Sequence, residues 1–202
     1  MTLQEIKNSL YQTMKTGSPR ERRDQLITEM AKLNSQEIHC YNCTGSCCTM
    51  SANSMQVTPL EAFEIILSLQ VTNSNLSELR NLLQTNIKNY RLDHEIFLGK
   101  KTPPHLRKTY TCPFFVPGAK GCSIKKELKP YGCLGFNPKI ENDNGSQCHS
   151  DLNLLTSRQE NQKSNEDRAN EYLKNHFQLD WQKLEIPKAV LSLLNKIFNH
   201  IN

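Results

Sequence analysis

Cys40-x2-Cys43-x3-Cys47-Cys48 places four thiols within nine residues. A two-residue spacer lets a tight turn aim both sulfurs at one metal ion while its backbone amides stay free to hydrogen-bond them. Gly45 supplies the conformational freedom that such a loop needs. The adjacent pair, Cys47 and Cys48, is expected to project in different directions, serving two ions or two edges of a shared site. A second set is more spread out: Cys112-Pro113, Gly121-Cys122, Cys133 and Cys148. Each of its first three members has a Pro or Gly within two residues, as suits a backbone wrapping round a centre. Four and four thiols suit two tetrahedral zinc ions or two cubane iron–sulfur clusters, and a mixed set is also open. Spacing does not choose the metal. His39 and His149 adjoin Cys40 and Cys148 and are expected beside the centre or in solvent rather than as ligands.

Charge bears on the same site. Two zinc ions with eight thiolates sum to −4, which is costly to bury without compensation. Between Gly99 and Tyr131 lie Lys100, Lys101, Arg107, Lys108, Lys120, Lys125, Lys126 and Lys129 against Glu127 alone, a local charge of +7. The rest of the chain carries −2 of the total of +5. Neutralising the thiolates, or plain solvation, is the expected use of this segment. A nucleic-acid partner is disfavoured, because few aromatic residues are at hand to stack bases.

The elements around the thiols read as helices. Leu3, Ile6, Leu10, Tyr11 and Met14 recur at helical spacing, and Gly17 ends that run. Ser18-Pro19 opens a second helix with Leu26, Ile27, Met30 and Leu33 as its apolar face. Thr58-Pro59-Leu60-Glu61 is a capping box, with its helix predicted to run to about Leu69. Another is predicted from about Asn75 through Tyr90. Gly99 to Asn137 is irregular, with a brief strand expected at Phe114 to Val116, and Asn142 to Gly145 reads as a turn. Leu152 to Phe177 reads as a long polar helix with a break near Ser164, and Ile186 to Ile201 as a strongly amphipathic one. The predicted fold class is mainly α, helices packed around an irregular cysteine-rich metal-binding centre. Residues 1–36 form an N-terminal helical segment, 37–150 the cysteine-cluster domain and 151–202 a C-terminal helical segment packing on it.

Composition sets the limits. A chain of 202 residues suits one compact domain, and 37% apolar residues leave a modest core that a metal staple would support. Met1 to Lys7 has no apolar signal-like stretch, and no run approaches the roughly 18 apolar residues of a membrane span. The expectation is a cytoplasmic protein with reduced thiols and no membrane partner. Disulfide-bonded or merely buried cysteines are one alternative. A thiol redox role for Cys40-x2-Cys43 or the vicinal pair is another, although the βαβ context of thioredoxins is missing.

From Cys40 to about Cys148 the chain resembles the YkgJ-type cysteine-cluster proteins, described as zinc- or iron-chelating domains. The likeness rests on Cys40-x2-Cys43-x3-Cys47-Cys48, on Val57-Thr58-Pro59-Leu60-Glu61, and on Cys112-Pro113-Phe114-Phe115. It continues in Gly121-Cys122-Ser123-Ile124 and Lys129-Pro130-x2-Cys133-x2-Phe136. The family usually has tyrosine where this chain has Lys125, Arg-Pro where it has Lys129-Pro130, and arginine where it has Leu134. The gap from Cys122 to Cys133 is one residue longer. Flagellin lysine N-methylases belong to the same broad family but are considerably longer. The resemblance implies a metal-binding protein holding zinc or an iron–sulfur cluster through the eight cysteines. An iron–sulfur-dependent redox or lysine-modifying enzyme is the first alternative, although no glycine-rich nucleotide loop is visible. The second is a metal-stabilised adaptor that docks a protein partner through the helix from Ile186 to Ile201.

Overall fold

The computed structural model describes residues 2–36, 45–94, 107–116, 121–137 and 148–201. Local signals set most helix starts. Helix α1 (Leu3–Asn8) is capped by Thr2, whose hydroxyl accepts from Glu5 N–H while Glu5 reaches back to the Thr2 N–H. It runs on as a π-helical turn, Ser9–Thr13. The same reciprocal box, Ser18 with Glu21, opens α2 (Pro19–Ser35), and Thr58 with Glu61 opens α3 (Pro59–Ser68). Helix α4 (Asn73–Asn89) begins two residues before its predicted start, with Asn75 Oδ1 accepting from the Thr72 N–H. A single turn forms α5 (Tyr131–Leu134). Helix α6 (Leu152–Phe177) is continuous through Ser164, where a break was expected, and α7 (Ile186–Ile201) follows the predicted bounds.

The strands depart from expectation. Among the described residues Phe114 to Val116 pairs with no strand: the Phe115 N–H closes a turn on the Cys112 carbonyl, and the Phe114 carbonyl accepts from the Ser123 N–H. Two short antiparallel pairs form elsewhere. One joins β1 (Gln56–Val57) to β4 (Leu184–Glu185) and the other joins β2 (Phe136–Asn137) to β3 (His149–Ser150). The turn expected at Asn142 to Gly145 lies outside the described residues.

The described elements are mainly α and share one principal core. Ile6 and Leu10 meet Leu60, Phe63 and Ile66 of α3, Leu173 and Phe177 of α6, and Leu193, Leu194 and Ile197 of α7. Segments 1–36, 37–150 and 151–202 therefore contribute to the same interior. Helix α3 is buried along almost its whole length and is the hub of the packing. The apolar residues Val190, Leu193, Leu194 and Ile197 of α7 lie in this core. A smaller cluster of Leu26, Ile27, Tyr131 and Leu134 fastens α2 to α5. No helix among the described residues is long and apolar enough to cross a membrane.

Candidate functional site

Five cysteines from three separate stretches of chain line one cavity of about 410 Å³: Cys47, Cys48, Cys112, Cys122 and Cys133. Cys47 and Cys48 sit on a 3₁₀ turn, Ser46–Cys48, entered through Gly45 at φ 77°. Only glycine takes that backbone freely, and a β-carbon at Gly45 would fall 2.3 Å from the Phe115 ring. The turn is tied to the second stretch where the Cys112 N–H donates to the Cys48 carbonyl at 2.7 Å. Tyr110 is buried beside it, donating its hydroxyl to the Met55 carbonyl at 2.5 Å and accepting from the Ile186 N–H at 3.1 Å.

The vicinal pair does not diverge as expected. The sulfurs of Cys47 and Cys48 lie 3.9 Å apart. Two short side chains on a tight turn converge by χ1 rotation alone. Cys148 precedes β3 and is not among the residues lining the cavity. Cys40, Cys43 and His39 lie outside the described residues, and His149 is exposed on β3. Among the described residues, no three His, Cys, Asp or Glu side chains stand ready-grouped to hold a metal ion.

The third stretch, carrying Cys133, is held by a buried charge network that the sequence reading missed. Glu64 on α3 is fully buried and accepts from Arg22 and from Arg23 Nη2, the latter at 2.6 Å. Arg23 Nε donates to the Lys129 carbonyl at 2.6 Å. Arg22 Nη1 donates to the Tyr131 hydroxyl at 2.6 Å, and that hydroxyl donates to Glu166 Oε1 at 2.5 Å. Glu166 also pairs with Arg158, whose guanidinium lies 3.2 Å from the centre of the Tyr131 ring. Glu61 uses one carboxylate oxygen in the α3 capping box and the other to accept from the Tyr131 N–H at 3.0 Å. Three arginines thus face three glutamates, and Lys129-Pro130-Tyr131 is gripped at its carbonyl, amide and side chain two residues before Cys133. A signal was available: Arg22 and Arg23 stand four residues before Leu26 and Ile27, on the face of α2 that turns inward.

Electrostatics follow from this packing. Burial pushes the Cys112 thiol up to about 12, helped by neighbouring Cys122 and Cys47 and opposed by the Phe114 amide and by Lys129. Cys133 is exposed at the surface of the cavity, yet the protein around it raises its thiol too, burial first and then Cys112, Cys122 and Cys47. The Cys47 thiol is raised chiefly by its contact with Cys48. The thiols therefore sense one another, and in the metal-free protein these three keep their protons at neutral pH. Three of the eight cationic residues of the basic segment, Arg107, Lys126 and Lys129, line the same cavity. Lys108 instead donates to the carbonyls of Arg91 and Leu92. No family model, no curated protein and no solved structure matches the chain.

Proposed function

We propose that this chain is a metal-binding cysteine-cluster protein, of the kind its motifs resemble, holding zinc or an iron–sulfur centre at the thiol-lined cavity. The observation that carries the reading is the meeting of Cys47 and Cys48 with Cys112, Cys122 and Cys133 from sequence positions up to 86 residues apart. Donor chemistry fits a thiophilic metal: thiolates select zinc and iron–sulfur clusters over hard cations. Spacing fits as well. Thiolates about 2.3 Å from a tetrahedral ion lie about 3.8 Å from one another, and the vicinal pair is at 3.9 Å. Raised thiols do not oppose this, because a bound cation supplies the charge that makes deprotonation favourable. Cys47, Cys48, Cys112, Cys122 and Cys133 are the residues proposed to hold the metal, with Cys40, Cys43 and Cys148 as the further donors the motif offers. The centre would organise the junction of the irregular segments.

The cavity is far larger than one ion needs, which favours a second reading in which an iron–sulfur centre supports redox or protein-modifying chemistry. Elemental analysis and an absorption spectrum on protein purified without oxygen separate the two. Zinc at about one or two per chain with no visible band supports a closed structural site. Iron at about four per chain with broad visible absorption supports the cluster. Protein expressed with both metals supplied that carries neither, and takes up neither after reduction, would sink the proposal.

A further inference from the structure

We infer that the same cavity admits a small organic anion, its carboxylate or phosphate held by Lys126, Lys129 and the Asn53 amide, its apolar body on Met55, Phe115 and Phe136. Charge is the first reason. Arg107, Lys126 and Lys129 line the cavity, and no acidic side chain does so among the described residues. The acid beside them in sequence, Glu127, is turned to Arg20 at 3.8 Å. Among the described residues, none of the three cations has an ion-pair partner.

Asn53 is the second and independent reason. It is 5% exposed and lines the cavity, and its Nδ2 donates to no partner among the described residues. Its Oδ1 accepts from the Met55 N–H at 3.1 Å, so flipping the amide would set donor against donor. A buried N–H without an acceptor is costly; Nδ2 is shielded in this conformation, and a small turn of the Asn53 side chain toward the cavity would let an oxyanion beside the lysines satisfy it. Size agrees, since about 410 Å³ falls within the roughly 300–1,000 Å³ of pockets for small molecules.

A single metal held by four thiolates does not cancel the attraction. One zinc with four thiolates carries −2, and the three cations leave the site at +1; a fifth thiolate on the same ion would leave it neutral, and two zincs with eight thiolates would leave it at −1. With the thiols protonated and no metal bound, it stands at +3. The inference therefore goes beyond the metal reading and survives its failure.

The test is calorimetric titration of the full chain as isolated, its metal content measured on the same sample. The probes are benzoate, phenyl phosphate and the neutral benzamide. At least one anion is expected to bind, more weakly as salt rises, with benzamide at least about tenfold weaker. Lys126→Gln with Lys129→Gln should weaken the anion by about tenfold or more, compared with wild type at matched metal content, while leaving the melting temperature at the wild-type value. Lys129→Gln keeps the carbonyl that Arg23 grips; if that double variant fails to fold, Arg107→Gln with Lys126→Gln replaces it. Benzamide binding as well as the anions, an unchanged affinity in the folded variant, or no binding of either anion up to about 10 mM would each overturn the inference. An isolate expressed with both metals supplied that carries neither, takes up neither after reduction and yet binds benzoate would sink the metal reading alone. A metal-loaded isolate that ignores both anions would sink the anion site alone.

Discussion

Glu64 illustrates what a single buried residue does for a site it never touches. Burial alone would raise its carboxyl, but the guanidiniums of Arg22 and Arg23 hold it below the usual carboxylate range. Replacing one member of such a network leaves the others charged and unpaired in the interior, which costs about 3–5 kcal/mol. Glu64→Gln is therefore expected to lower the urea unfolding free energy by about that amount. A loss below about 1 kcal/mol would mean that water reaches the arginines. The pH dependence follows from the sign of the shift. A carboxyl depressed in the fold contributes stability that is complete above its unfolded value of about 4.3 and is lost as pH falls through the folded one. Wild-type unfolding free energy should decline below about pH 4, and Glu64→Gln should show a shallower decline over the same range.

At the scale of elements, the reader of this sequence has the helices but not what joins them. Ser18-Pro19 and Thr58-Pro59-Leu60-Glu61 announce their helices because the cap signal is complete within four residues, and α7 announces itself through an apolar face repeated over four turns. The β1–β4 pair leaves no such trace: Gln56 meets Glu185 and Val57 meets Leu184 across more than a hundred residues, and two-residue strands have no periodicity to read. Arg22, Glu64, Tyr131 and Glu166 are invisible for the same reason, since each has its partner far away in sequence. The cysteines were legible as candidate donors because the Cys40 to Cys48 spacing is local. That they gather round a centre was expected; which of them share one cavity was not legible. Single-turn α5 depends on this long-range clamp, as four residues are too few to form a stable helix alone. Tyr131→Phe deletes the hydroxyl shared by Arg22 and Glu166. It is expected to cost about 1–3 kcal/mol and, by loosening Cys133, to weaken metal retention about tenfold, read by competition with a chromophoric chelator. Unchanged retention in a destabilised variant would confine the clamp to stability. Gly45→Ala acts on the opposite wall, where positive φ and the Phe115 ring both exclude a β-carbon. It should impair metal retention while Gly121→Ala, with nothing within 4 Å of the added carbon, does so less.

For the molecule as a whole, the core and the thiol cavity make opposite demands on the same protons. Cys112 lies in the same buried apolar cluster as residues of α3, α6 and α7, and that burial is the chief cause that raises its thiol to about 12. In metal-free protein a raised thiol favours the fold fully below its unfolded value of about 8.5, and that contribution is lost as pH climbs toward the folded one. If the proposed metal is bound, the arrangement reverses, because a ligating thiol has already given up its proton. Unfolding free energy of the chelated chain should therefore fall between about pH 8.5 and 10, while that of the metal-loaded chain, whose ligating thiolates take protons back on unfolding, should rise toward about pH 8.5 and then level off. Tyr131, itself raised to about 12 by burial and by Glu64, enters only at higher pH and in both forms alike. Urea titrations of the two forms at pH 7.5, 8.5 and 9.5 make the comparison. Parallel decline in both would show that Cys112 keeps its proton when metal is present and is not a ligand. Decline in the chelated form alone would tie the buried thiol to the metal, and would locate the stabilising effect of the centre in the interior that the helices build around it.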